Sequence, residues 1–142
     1  MKLVKHLLDN KGRHVFSVVP GDSVLDAIKL MAEKSIGSLV VLEDDKLLGI
    51  LSERDYARKV IIKGRASEST RVAEIMTTDV FTTTSGQTVN DCMNLMTEKK
   101  IRHLPVVEDD KVIGMISIGD LVKAIITDQQ EAIQQLEQYI SG

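Results

Sequence analysis

Two short stretches carry the residues most able to do chemistry. Gly49-Ile50-Leu51-Ser52-Glu53-Arg54-Asp55 and Gly114-Met115-Ile116-Ser117-Ile118-Gly119-Asp120 share one pattern: Gly, two apolar residues, Ser, two variable residues, Asp. A carboxylate offers two acceptor oxygens, so an Asp one turn into a helix can take hydrogen bonds from two vicinal hydroxyls. A Ser just ahead of it sits at the helix N-terminus, where its hydroxyl, the free backbone N–H groups and the helix dipole favour a phosphate. The same residues also read as plain capping, with Ser as N-cap and Asp at the third helical position of a variant capping box. The pattern does not suit bond-breaking. No general base is spaced to activate Ser52 or Ser117, no Gly-x-Ser-x-Gly elbow is present, and no Cys/His cluster has zinc spacing. Binding rather than catalysis is expected, with no catalytic residue, no metal and no catalytic cofactor.

Both motifs sit at the same place in a longer repeat. Residues 14–60 and 79–125 align without a gap at an offset of 65, through pairs such as Val15/Val80, Phe16/Phe81, Asp26/Asp91 and Leu39/Leu104. The run Glu43-Asp44-Asp45-Lys46 returns whole as Glu108-Asp109-Asp110-Lys111. Only two copies of so long a unit exclude an open solenoid and point to a pseudo-twofold object with two related crevices.

Within a copy the elements follow from local pattern. Residues 15–19 are β-rich and stop at Pro20-Gly21. Ser23 caps a helix over 23–35, with Val24, Ala27, Ile28 and Met31 on one face. Ser38–Leu42 and Lys46–Leu51 make a hairpin about Asp44-Asp45. Ser52 caps a second helix running to about Lys63. The polar stretch Lys63–Thr70 is the linker, and Thr70 caps a short turn carrying Val72, Ile75 and Met76. Copy two repeats the order, with a strand near 80–83, a helix over 88–100, strands over 103–107 and 111–116, and a helix from Ser117. Ahead of copy one, Leu3, Val4, Leu7 and Leu8 fit a short packing helix. The last helix runs on through Leu121, Val122, Ile125, Ile126, Ile133, Leu136 and Ile140, an apolar stripe that should pack on the domain or on a second chain.

Composition sets outer bounds. The chain has 142 residues, 43% apolar, with 3% aromatics and no Trp, so its core must be aliphatic. A net charge of −3 argues against a general phosphate-backbone binder. No apolar run approaches membrane-spanning length, the N-terminus lacks a signal-peptide core, and the single Cys92 can make no internal disulfide. A soluble, cytoplasmic protein is expected. Cys92 reads as a buried small hydrophobe, His6 and His14 as surface groups, Tyr56 and Tyr139 as packing residues. The acidic turns at 43–45 and 108–110 lack the spacing of a calcium loop.

The order β-α-β-β-α, stated twice, resembles the tandem cystathionine-β-synthase (CBS) domain pair, or Bateman module. The resemblance rests on the two Gly-h-h-Ser-x-x-Asp runs, on Arg102-His103-Leu104-Pro105-Val106-Val107, and on Glu74-Ile75-Met76-Thr77 leading into copy two. It is closer still to stand-alone bacterial CBS-pair proteins. It implies an α/β (α+β) fold with repeats over 8–66 and 74–130, a helical tail over 131–142, and a short N-terminal helix. It also implies binding of adenosine ligands: AMP first, with ADP, ATP, NAD and S-adenosylmethionine as alternatives. By that resemblance Asp55 and Asp120 hold ribose, while Ser52 and Ser117 face phosphate. Arg54 and Lys59 of copy one and Arg102 and His103 of copy two are expected to converge on one phosphate-bearing cleft, where Arg suits bidentate contact. Adenine is expected against Val18, Val19 and Pro20 in one cleft and Thr82, Thr83 and Thr84 in the other, its edge read near Gly37-Ser38 and Arg102-His103. Each of these residues also reads as an ordinary strand or helix-face residue.

Three functions follow from the resemblance and compete. One is a regulatory, signal-transducing sensor whose ligand bridges the repeats and acts on a separate protein in trans. Another is a structural homodimerisation module, a disc of four repeats, with vestigial clefts. The third, an enzyme, lacks the residues for it. Nucleic acid and membrane are not expected partners.

Overall fold

The computed structural model describes residues 2–141. In chain order the elements are α1 (Val4–Lys11), β1 (Ser17–Val18), α2 (Val24–Lys34), β2 (Ser38–Glu43), β3 (Lys46–Ser52), α3 (Glu53–Tyr56) with a π-helical turn (Ala57–Ile61), α4 (Val72–Ile75), α5 (Val89–Lys99), β4 (His103–Glu108), β5 (Lys111–Ser117) and α6 (Ile118–Ser141). The result is a mixed α+β fold with two small sheets and a long last helix. The chain divides into two compact units. One holds Val15–Phe81 with Asp109–Val112; the other holds the chain up to His14, Thr82–Glu108 and the chain from Ile113 onward.

In the first unit β1 pairs parallel to β2, and β2 pairs antiparallel to β3 with Ser38 opposite Ser52. The β2–β3 turn puts Asp44 and Asp45 at φ 52° and 64°, a left-handed pair that Asp tolerates better than most residues. Helix α2 starts where Ser23 Oγ accepts the Asp26 N–H at 3.1 Å. It ends with Ser35 in the left-handed region. Its face of Val24, Ala27 and Met31 packs with Val18, Leu39, Val41, Leu51, Val60, Val72 and Ile75 into an aliphatic core. The segment ahead of copy two closes this unit. Val72 N–H donates to Asp22 O (2.9 Å), Val24 N–H to Thr70 O (2.8 Å), and Ile50 and Thr77 exchange both backbone bonds at 2.9 Å.

The second unit repeats this plan with α1 in the role of α4. Val4 N–H donates to Gln87 O at 2.9 Å and Lys5 N–H to Ser85 O at 3.0 Å, while Val89 N–H donates to Lys2 O at 3.0 Å. Val4, Leu7 and Leu8 are buried with Val89, Met96, Leu104, Ile116 and Leu121. Burying three such side chains contributes roughly 1.5–3 kcal/mol each. Helix α1 therefore belongs with copy two, although it precedes copy one in sequence.

Three expectations about local structure need correction. Thr70 does not cap α4. Its hydroxyl turns back to Ala66 O at 2.7 Å, and the cap position falls on Arg71, whose N–H is taken by Glu74 Oε2 at 2.6 Å. The strand near 80–83 shrinks to one parallel bridge between Thr83 and Val106. Residues 80–82 stay out of the sheet, and past Thr83 the chain places the Ser85 N–H and hydroxyl on Glu108, so the ladder does not extend in that direction. The helix after Ser52 is α-helical only to Tyr56 and then widens into the π turn, with Ile62 N–H bonded to Ala57 O at 3.0 Å.

Candidate functional site

Each Gly-h-h-Ser-x-x-Asp run spans the end of a strand and the start of a helix. In copy one, β3 ends at Ser52, whose extended backbone makes it the N-cap of α3. Ser52 Oγ accepts the Asp55 N–H at 3.1 Å, and Asp55 Oδ2 accepts the Ser52 N–H at 3.0 Å, which closes a capping box. The Ser52 hydroxyl also donates to Asp55 Oδ2 at 3.0 Å. Asp55 Oδ1 takes the Thr77 hydroxyl and the Lys59 ammonium, each at 3.1 Å. The Glu53 N–H, which a helix start leaves without an intrahelical partner, donates to Gly37 O at 3.1 Å.

Copy two has the same corner. Ser117 Oγ accepts the Asp120 N–H at 3.2 Å, Asp120 Oδ2 accepts the Ser117 N–H at 2.8 Å, and the Ile118 N–H donates to Arg102 O at 2.8 Å. The cation differs. Lys11, at the end of α1, reaches Asp120 Oδ2 at 2.6 Å and Met115 O at 2.8 Å. Burial raises the Asp120 pKa, but the Lys11 hydrogen bond and charge and the two donors of Ser117 outweigh it, and the carboxyl lies below the usual aspartate value.

The leading glycine of each run allows a close approach. A Cβ on Gly49 would lie 2.8 Å from Thr77 O and 2.9 Å from Met76 Sδ. A Cβ on Gly114 would lie 2.6 Å from Leu8 Cδ2. The glycine thus lets the segment carrying Thr77, or Lys11, lie against the strand that delivers the Asp.

The other predicted site residues are placed as follows. Lys59 is drawn inward, with Nζ on Ile75 O at 2.9 Å as well as on Asp55. Arg54 and Arg102 are exposed and His103 is half-buried. Ser38 is buried opposite Ser52. Val18 lies in the core, Val19 is exposed, and Pro20 is half-buried with its carbonyl accepting the Ala73 N–H at 3.0 Å. Thr82, Thr83 and Thr84 come together on a groove of about 280 Å³ that Gln87, Asp91, Cys92 and Leu95 complete. Thr83 is itself buried, its hydroxyl 3.3 Å from Cys92 Sγ.

Lys11 and Thr77 were not anticipated. Both lie just outside the aligned blocks, in the segments that lead into each copy. The available signal was the offset itself: continued backwards, it sets Lys11 against Met76 and Gly12 against Thr77. Among the described residues no group of three His, Cys, Asp or Glu could hold a metal ion, and no helix is long and apolar enough to cross a membrane.

Known proteins resemble this chain over most of its length. A family model described as CBS domain matches residues 6–62 and again 72–127. The CBS domain-containing protein CBSX3, mitochondrial, of Arabidopsis thaliana is 46% identical over 126 residues; the match covers 85% of this chain but 61% of that protein, so this chain spans less than two thirds of it. A solved structure of a putative signal-transduction protein with CBS domains from Burkholderia ambifaria is 51% identical with a TM-score of 0.86, covering 90% of this chain and 96% of that one. The CBS domain pair of protein MJ0100, solved in complex with 5′-methylthioadenosine and S-adenosyl-L-methionine, is 25% identical with a TM-score of 0.81, covering 90% of this chain and 98% of that one. Matched in both halves by one model and over most of its length by these relatives, the chain belongs to the CBS-domain family and carries two such domains in tandem.

Proposed function

We propose that this CBS pair is a regulatory module that binds an adenosine ligand through its Ser-x-x-Asp corners and signals the bound state to another protein. The observation that carries the reading is the pair of carboxylates held at helix N-termini. Each is fixed by the N–H of the Ser three residues before it, and a carboxylate is an acceptor for hydroxyl hydrogens. The adenosine compounds bound by the MJ0100 pair support the ligand class. AMP is the first candidate, with ADP, ATP, NAD and S-adenosylmethionine behind it. Ribose rests on Asp55 or Asp120. Phosphate meets Ser52, Arg54 and Lys59 in the first unit, or Ser117, Arg102 and His103 in the second. Adenine lies by Thr82–Thr84 or by Val18–Pro20 and Gly37-Ser38. The reading carries with it a cytoplasmic setting and a regulated partner acting in trans.

Native mass spectrometry of freshly purified protein tests this, because it reports co-purified nucleotide and oligomeric state together. A thermal-shift series with the five compounds at millimolar concentration completes it. Stabilisation by at least one is expected, and none from any of them would overturn the reading.

A second reading, a dimerisation module, is favoured by α6. Ile126, Ile133, Leu136 and Ile140 are exposed at spacings of seven, three and four, which is the seam of a two-stranded coiled coil.

A further inference from the structure

The two Ser-x-x-Asp corners are spent to different degrees, and the difference, taken together with the adenosine reading above, separates them in function. An ionised carboxylate has two oxygens and about four acceptor positions. Asp55 receives four donors: the Ser52 N–H and hydroxyl on Oδ2, and the Thr77 hydroxyl and Lys59 ammonium on Oδ1. Asp120 Oδ2 receives the Ser117 N–H and the Lys11 ammonium, with the Ser117 hydroxyl as a third, weaker donor, and the counterparts of Thr77 and Lys59 supply no donor to Oδ1. The side chain of Asp55 is 11% exposed and that of Asp120 28%.

Sequence explains the contrast. At the repeat offset the two residues that load Asp55 Oδ1, Thr77 and Lys59, correspond to Gly12 and Ala124 in copy two. Neither can donate from a side chain. Copy two replaces them with Lys11, which approaches the other oxygen.

We infer that each chain holds one adenosine ligand tightly, with its ribose diol on Oδ1 of Asp120, and that Asp55 is an internal tie between α3 and the segment leading into copy two. A diol seeking Asp55 must first displace the Thr77 and Lys59 donors. That exchange leaves the copy-one corner on the order of 100-fold weaker.

Isothermal titration calorimetry with AMP, repeated with S-adenosylmethionine, tests this on the full chain. One tight event per polypeptide is expected. Asp120→Asn should weaken it about 100-fold or more, through two hydroxyl bonds to a charge. Lys59→Ala with Thr77→Val, which removes both Oδ1 donors of Asp55, should add a second event with S-adenosylmethionine, which has no phosphate for Lys59 to meet, and bring that stoichiometry from one to two. Circular dichroism on each variant confirms that it is folded. Two events of equal affinity in the unaltered protein would overturn the inference and leave adenosine binding standing. So would a tight event that survives Asp120→Asn, or a stoichiometry of one that persists in the double variant. No heat from either probe, with no thermal shift from any of the five compounds, overturns both.

Discussion

At the scale of the residue, the Lys11–Asp120 pair has a measurable pH signature. The folded-state pKa of Asp120 is depressed, so its contribution to stability is present above the unfolded value near 4 and fades as pH falls through the folded value. The pair is partly exposed, and its net worth is about 1 kcal/mol. Lys11→Met, which places here the residue found at the matching position 76, should lower unfolding free energy by about that amount at pH 7. Urea titrations at pH 7 and pH 3 check it, because the difference between variant and parent should close in acid. Cys92 shows the opposite shift. Burial pushes its thiol up, with Thr83 opposing only in part. The thiol should therefore react with Ellman's reagent slowly in the native protein at pH 8 and at once in guanidinium. Rapid native labelling would show that the helix α5 face opens locally.

At the scale of the element, the segments that lead into each copy matter as much as the copies. Helix α1 lies over Gly114 through Leu8, and the chain after α4 lies over Gly49 through Met76 and Thr77. The two close approaches differ in kind. At Gly114 the obstacle is the end of a flexible Leu side chain. At Gly49 it includes the Thr77 carbonyl, which is tied to Ile50 by backbone hydrogen bonds. Gly49→Ala should therefore destabilise by about 2–3 kcal/mol and Gly114→Ala by about 1 kcal/mol, the common range for overpacking. Thermal unfolding of the two variants decides the order, and a greater loss at Gly114 would contradict the argument. The helix starts at Ser23 and Ser52 were legible while the cap at Arg71 was not. Ser and Thr caps act over three residues of local chain. At Thr70 the hydroxyl found a carbonyl four residues back and the cap moved on by one position.

At the scale of the whole molecule, α6 exposes a run of large apolar side chains. It is 24 residues long, about 36 Å, and its last turns expose Leu136 at 59% and Ile140 at 76%. An apolar seam with Ile at one heptad position and Leu at the other suits a two-stranded pairing. On the dimerisation reading, Leu136→Asp with Ile140→Asp should shift the mass seen by light scattering from dimer toward monomer. An unchanged mass would remove the tail from any interface.

The sequence by itself determined the two copies, their β-α-β-β-α order, the aliphatic core, the Asp-Asp turns and the helix starts capped by Ser and Thr. All of these follow from local periodicity, short-range hydrogen bonding and the repeat offset. It also singled out Ser52, Asp55, Ser117 and Asp120. Only the tertiary structure decided what those carboxylates face. Lys11 meets Asp120 across more than a hundred residues and Thr77 meets Asp55 across twenty-two. Beyond the repeat offset such pairs leave no trace in spacing, because they exist only when α1 and the chain after α4 pack against strands that glycine has left bare. Packing brought Lys59 to Asp55 and to the Ile75 carbonyl, although its place on the helix face read equally well as a solvated charge.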